Sequence, residues 1–221
     1  GLVGSEMCIR DRSNFTSANG DVKLSAYQEI TSTATTKAAS GGYAGSGEAT
    51  LAFVDVESET KIDSAANVAA ENGIYSLLAQ QILKAAAESK GLAAAVGVST
   101  GAAIARLTVK PVVCAAISGG TIKAKNLVVK ALFNVNNDNT YTENGSMTSN
   151  AYAGAAAALA GGTGANAEIT VDGSATAEVE NATLTLTEDA LVLSKANGSL
   201  TGNGAGLAAA VGGAVGGVVV K

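Results

Sequence analysis

Leu92-Ala93-Ala94-Ala95-Val96-Gly97 returns as Leu207-Ala208-Ala209-Ala210-Val211-Gly212, and a glycine, Gly91 or Gly206, precedes each copy. Looser copies lie at Gly42-Tyr43-Ala44-Gly45-Ser46-Gly47 and Ala153-Gly154-Ala155-Ala156-Ala157-Ala158. Upstream of each stands a short apolar stretch ending in alanine: Val22–Ala26, Tyr75–Ala79, Leu127–Ala131 and Val192–Ala196. The terminal alanines are 53, 52 and 65 residues apart. Two elements in the same order, four times over, define a degenerate unit of 50–65 residues. That places the chain among repeat architectures, where a unit buries its apolar face only against its neighbours.

Composition points the same way. The 221 residues include 45 Ala and 27 Gly but no Trp, no His and one Pro, and aromatics make up 4%. A globular core is filled by large side chains at high density; here the backbones must come close together instead. Low charge and plentiful apolar residues disfavour disorder. The net charge of -5, with scattered Lys and Arg and no basic patch, argues against a nucleic-acid partner. It also gives no attraction to anionic lipid.

Around the repeats, apolar and polar residues alternate. Ala167, Ile169 and Val171 are interleaved with Glu168, Thr170 and Asp172; Ala175, Ala177 and Val179 with Thr176, Glu178 and Glu180. Leu184 and Leu186 follow among Thr183, Thr185 and Thr187, then Leu191 and Leu193. A period of two marks half-buried strands. Asp172-Gly173, Asn197-Gly198, Ser118-Gly119-Gly120 and Asn203-Gly204 are the expected breaks. Hairpins need no long period, so these strands are expected to stack one coil upon the next as a β-solenoid. At roughly 20 residues per coil, one unit would make two or three coils. The fold class expected is all-β, a parallel β-helix.

Two stretches fit a second pattern. Ile74 to Gly91 has apolar residues at 74, 77, 78 and 82, with Asn72 as a cap and Gly91 as a stop, so a short helix near 74–90 competes with a strand. Ala151–Leu159 has helix propensity, but its repeat partners contain Gly and Val, so a strand is expected. Gly206–Val220 is apolar but short for a membrane span. It is expected to open a fourth unit, with no membrane insertion.

Residues 1–12, Gly1-Leu2-Val3-Gly4-Ser5-Glu6-Met7-Cys8-Ile9-Arg10-Asp11-Arg12, match nothing else in the chain and resemble a translated sequencing-adapter artefact. They are set aside from the fold. Residues 13–221 are then expected to be a single solenoid segment of about 3.5 repeats, truncated at both ends, a metagenomic fragment.

The order of small-residue run, alternating strands and Ala-terminated strand resembles the repeats of leukotoxin-like filamentous adhesins, very large exported bacterial proteins in the style of filamentous haemagglutinins. The residues that carry the resemblance are Gly91–Ser99, Ala115-Ala116-Ile117 and Thr121–Ala131, and it extends over most of residues 18–221. It implies a right-handed parallel β-helix stalk, secreted to the bacterial cell surface by a two-partner or autotransporter route and acting in cell adhesion. Its partners would be glycans or proteins of host or bacterial surfaces and the neighbouring repeats of the same long chain.

No catalytic, cofactor-binding or metal-binding residue is assigned, and no cofactor is expected. With no His in the chain, His-based triads are excluded and zinc is disfavoured. Cys114, within Val112–Ala116, is expected to be a small buried hydrophobe. Gly161–Ile169 has the outline of a calcium-binding nonapeptide, but a single copy is expected to be a plain turn. The threonine row of 183, 185 and 187 is too narrow for an ice-binding lattice. The carboxylates Asp55, Glu57, Glu59, Asp63, Glu178, Glu180, Glu188 and Asp189 are expected on solvated faces or in turns. An assembled pair among them would instead make a carbohydrate-binding or carbohydrate-active β-helix module, the alternative to a non-enzymatic stalk. The polar run 134–145 is expected to be a loop between units, and Asn136, Asn137, Asp138, Asn139 and Tyr141 are the residues placed to make contact.

Overall fold

The computed structural model describes residues 2–9, 14–17 and 20–221, with only the backbone of 2–9. Among them the chain is all-β, with no helix. It passes four times through the same two sheets. The first circuit comprises β2 (Asn14–Thr16), β3 (Val22–Gly42) and β4 (Gly45–Ser64), and the second β5 (Asn67–Ala95) and β6 (Val98–Ile117). The third has β7 (Thr121–Phe133), β8 (Ser146–Ala157), β9 (Ala160–Val171) and β10 (Ser174–Val179). The fourth has β11 (Thr183–Leu186), β12 (Ala190–Ala196), β13 (Ser199–Ala210) and β14 (Ala214–Val220). Every pairing between these strands is parallel and joins one circuit to the next.

The pairing explains the repeat. Ala26 lies beside Ala79, and Ala79 beside Ala131. Leu92 lies beside Gly154, and Gly154 beside Leu207. Each unit is therefore one circuit, not two or three coils of about 20 residues. The limbs are long because the alternation runs on without a break. β5 alone spans 29 residues, about 95 Å of extended chain. The helix competing for 74–90 does not form: Tyr75, Leu77, Ala79, Gln81, Leu83, Ala85, Ala87 and Ser89 all point inward, at a spacing of two. Ala151–Leu159 is strand through Ala157, as expected. Asn203-Gly204 is not a break but lies within β13, whereas 118–120, 172–173 and 197–198 do interrupt strands.

The space between the sheets tapers. One half is filled by Tyr75, Leu77, Leu107, Val109, Ile117, Ile122, Leu127 and Val129, all buried. Toward the turns at 43–44 and 96–97 the lining shrinks to Ala85, Ala87, Ser89, Gly91 and Ala93 on one side and Ser99, Gly101, Ala103 and Ala105 on the other. Here the two backbones nearly touch: a Cβ on Gly91 would sit 2.8 Å from the Ala102 carbonyl of the opposite sheet. Hydroxyls bridge the gap. Ser149 Oγ donates to Ala105 O at 2.9 Å, Thr36 Oγ1 to Leu51 O at 2.7 Å, and Ser89 Oγ to Thr50 Oγ1 at 2.8 Å. Several other buried polar groups are also paired, whereas Ser58 Oγ, Ser99 Oγ and Gln81 Oε1 have no partner among the described residues. Gln28 Oε1 accepts from Thr60 Oγ1 at 2.8 Å and from Gln81 Nε2 at 2.9 Å, and Ser64 Oγ lies 2.7 Å from the Tyr75 hydroxyl.

Pro111 sits inside β6, where a missing N–H would normally break a ladder. It falls between Val109, the last residue of β6 paired to β9, and Val112, the first paired to β10. The break at Asp172-Gly173 absorbs it, and Gly173 packs so closely on the Pro111 ring that a side chain there would collide.

Of residues 1–12, the backbone of β1 (Leu2–Ile9) runs parallel to Glu57–Ser64 at the free side of β4. The side chains of 1–13 lie outside the described residues, and with them the expectation about the origin of this segment.

Charges on the outer faces follow the ladders. Lys110 donates to Glu57 Oε1 at 2.8 Å and Arg106 Nε to Glu168 Oε2 at 3.1 Å, both pairs in register across circuits. Lys125 pairs with Glu188 at 3.0 Å. The hydrogen bond from Lys110 holds the Glu57 carboxyl below its usual range, and Lys125, helped by Asn126, does the same for Glu188. A carboxyl depressed in the folded state stabilises the fold above its unfolded value and loses that contribution as pH falls through the folded one. The melting temperature is therefore expected to hold steady from neutrality to about pH 5 and to fall below about pH 4. Salt should shrink the drop, because these groups are exposed. Thermal denaturation across pH, with and without salt, checks this.

Candidate contact loop

The polar run Asn134–Gly145 joins β7 to β8. It does not lie between units: it interrupts one sheet in the middle of the third circuit. Below it the circuits repeat at 53 residues, as between Val22 and Tyr75; across it Ala85 pairs with Met147. The loop is thus the insertion that lengthens the last repeat.

A buried hinge holds its base. Asn134 is fully buried with a positive φ of 52°, a backbone region that Asn tolerates better than most residues. Its Oδ1 accepts from Leu83 N and its own N–H donates to Gln81 O, both at 2.8 Å. These are groups of the second circuit that lose their ladder partner where β7 ends. Gln80 Nε2 donates to Val135 O at 2.8 Å. Gly145 lies against the Asn134 side chain, where a Cβ would collide. Asn134→Ala would strand the Leu83 N–H and remove the residue suited to that φ. The expected loss is about 2–3 kcal/mol, measurable by urea denaturation.

Above the hinge the loop folds on itself. Val135 and Tyr141 form an antiparallel bridge. Asn136 N donates to Thr140 O at 2.8 Å, and Asn139 N to Asn136 O at 2.9 Å, with Asn139 at φ 66°. Asp138 Oδ1 accepts from Thr140 Oγ1 at 2.6 Å and Thr140 N at 2.9 Å, which lowers its pKa. Two lysines from different circuits pin the tip. Lys130 Nζ donates to Asn137 O at 2.8 Å, and Lys195 Nζ to Asn139 O at 2.7 Å. Lys195 also stands 4.5 Å from the centre of the Tyr141 ring, a cation–π contact. Tyr141 remains 60% exposed.

The five residues expected to make contact are therefore brought together on one braced tip. Gln80, Lys130 and Lys195 were not legible as members. Lys195 could have been found only through the register, which sets it beside Leu132 one circuit away. The tip can offer an aromatic face, backbone groups and one carboxylate to a polar ligand.

The other candidates stay apart. No cluster of three or more metal-ligating side chains occurs among the described residues. Glu57 and Glu188 are each paired with a lysine. Cys114 is not in the core as expected. Its neighbours Val113 and Ala115 point inward, so Cys114 faces out, half-buried. Burial, then the nearby Glu178, pushes its thiol pKa up. A cleft of about 190 Å³ lined by Pro111, Phe133, Val171 and Ala196 is small against the usual ligand pocket of roughly 300–1,000 Å³. Comparison with known proteins matches no family model, no curated protein and no solved structure.

Proposed function

We propose that the four circuits are coils of a right-handed parallel β-solenoid, and that the chain serves as a structural and adhesive stalk segment of a large secreted bacterial surface protein. The observation that carries this reading is the parallel register of Ala26, Ala79 and Ala131. Identical small residues stacked rung on rung extend a protein along one axis without forming a central cavity. Right-handed winding follows the strong preference of parallel crossover connections. Adhesion is assigned to the braced tip, with Tyr141 as its stacking face and surface glycans or proteins as partners. The braced Tyr141 also favours a second reading, a carbohydrate-binding or carbohydrate-active module.

A glycan array read beside a hydrolysis screen tests both. The stalk reading expects binding without turnover, and about a tenfold loss of binding in Tyr141→Ala with melting unchanged. Turnover that disappears when a carboxylate pair is substituted would overturn it in favour of the enzyme.

A further inference from the structure

On the outer face of the narrow half, large and small side chains alternate from circuit to circuit. In the sheet of β3, β5, β8 and β13, one outward column reads Ala39, Leu92, Gly154 and Leu207 from the first circuit to the fourth. Leu92 is 61% exposed. It lies in the second circuit and Gly154 in the third, and both circuits are covered on either side along the stack. This exposure therefore belongs to the face of the sheet and not to an edge. A shallow apolar groove of about 360 Å³ runs between Leu92 and Leu207, with Gly154 in its lining. The space over Gly154 accepts a leucine methyl: Leu92 Cδ2 leans to within 2.6 Å of the place a Cβ would occupy. The next column toward the turn, Gly41, Ala94, Ala156 and Ala209, is small throughout, and the next one away from it reads Lys37, Lys90, Tyr152 and Ala205.

A half-turn about an axis along the strands, midway between the second and third circuits, lays this face on a copy of itself. Strand direction is kept and the stacking order is reversed, so the second circuit meets the third of the copy and the first meets the fourth. Each leucine then faces a small residue: Leu92 faces Gly154 of the copy, and Leu207 faces its Ala39. Lys90 comes over Tyr152 of the copy, a cation–π contact of the kind it already makes 5.4 Å from its own Tyr152 ring. Lys37 faces Ala205 and Glu88 faces Asn150, so no like charges meet. The adjoining turns can be covered as well. Gly97 N donates to Tyr43 O and Leu159 N to Gly97 O, both at 3.1 Å, so neighbouring circuits satisfy these amides without water. Residues 38–47, 91–105 and 153–167 carry no charged side chain.

We propose that this face binds a second copy of the chain as a two-fold, side-by-side pair, with Leu92 of each seated over Gly154 of the other. In the free chain Leu92 lends a methyl to the space over its own Gly154; in the pair the leucine of the copy takes that place. The contact is isologous, so it closes at the dimer. The face at 86–95 and its counterparts in the other circuits measures about 33 Å along the strands and about 19 Å along the stack. Pairing would bury roughly 600 Å² on each copy, about 1,200 Å² in all, which reaches the range of specific interfaces. The proposal rests on the ladder register and on the exposure of Leu92, and it is independent of any adhesive role. Its central contact, Leu92 on Gly154, involves only the two inner circuits.

Sedimentation equilibrium of the full chain and three variants across a concentration series tests this. The parent is expected to pass from monomer to dimer. Leu92→Ala removes the central leucine of each copy, and Gly154→Leu fills the notch that receives it. Each should weaken the dimer by about a hundredfold, since the change counts twice in a two-fold pair, with monomer melting nearly unchanged. Leu92→Ala combined with Gly154→Leu moves the leucine from the second circuit to the third and restores the fit. Association of this double variant should return to within about fivefold of the parent, a recovery that loss of apolar surface alone would not produce. A chain that stays monomeric, association that neither single variant weakens, or a double variant no better than the singles would each overturn the proposal. So would Gly154→Leu that strengthens association, because an apolar surface without a matched shape gains from an added leucine. A parent that stays monomeric but binds neutral phosphatidylcholine vesicles would assign the face to lipid instead.

Discussion

Gly101→Val is expected to destabilise the fold by about 3 kcal/mol or more, seen as a lower urea midpoint with an unchanged slope. Gly101 is buried in β6 and points into the narrow half of the interior. A Cβ there would collide with the Gly154 backbone of the opposite sheet, whose carbonyl oxygen and carbon lie in its path. Backbone cannot rotate aside as a side chain can, so the sheets must separate. Separation would lengthen the hydroxyl bridges from Ser149 and Ser89 nearby. It would also loosen Ala103 and Ala105, which have no spare volume to fill a widened gap. A milder change at an outward position of the same strand, Thr108→Val, should leave the midpoint within about 0.5 kcal/mol of the parent. A neutral Gly101→Val would mean that the two sheets are not in contact there.

Tyr75→Ala acts at the opposite, broad half and is expected to cost about 3–5 kcal/mol. Tyr75 is fully buried in β5 and is among the largest side chains of the core. It lies beside Val22 on one side and Leu127 on the other, so its removal opens a cavity shared by three circuits. Its hydroxyl lies 2.7 Å from Ser64 Oγ, and burial raises its pKa. Tyr75→Phe keeps the volume and loses this bond. It should cost about 1–2 kcal/mol, since the Ser64 hydroxyl is left buried without that partner. The gap between the two variants separates packing from hydrogen bonding, and chemical denaturation measures both.

The repeat was legible where a residue must keep its size in every circuit. Ala26, Ala79 and Ala131 stack at one inward position, and any larger residue there would displace its neighbours above and below. The match weakened at the fourth copy, where Ser194 and not Ala196 takes that place. The sequence sets Gly42–Gly47 against Leu92–Gly97, whereas Leu92 lies beside Ala39, and Gly42 beside Ala95. Runs of Gly and Ala look alike at several offsets, so composition alone cannot set their register. The length of the coil was misjudged for a related reason. Asn203-Gly204 reads as a turn, yet Asn203 Nδ2 donates to Asn150 Oδ1 at 2.8 Å within an unbroken ladder. The helix competing at 74–90 arose because Ile74 and Leu78 are apolar at outward-leaning positions, which hides a period of two behind one nearer four. The contact loop was visible as a polar interruption. Its bracing was not, because Lys195 and Gln80 reach it from other circuits.

Disulfide trapping tests the stacked register most directly. Thr35 and Glu88 are outward neighbours in adjacent circuits, with Cα atoms expected about 4.8 Å apart, inside the span of a disulfide. With Cys8 and Cys114 replaced by serine, Thr35→Cys paired with Glu88→Cys should close rapidly on oxidation and raise the melting temperature. Thr35→Cys paired with Lys90→Cys, two residues out of register, should close slowly and with strain. Equal closure of the two pairs, or faster closure of the second, would contradict a ladder in which each residue meets its counterpart one circuit away.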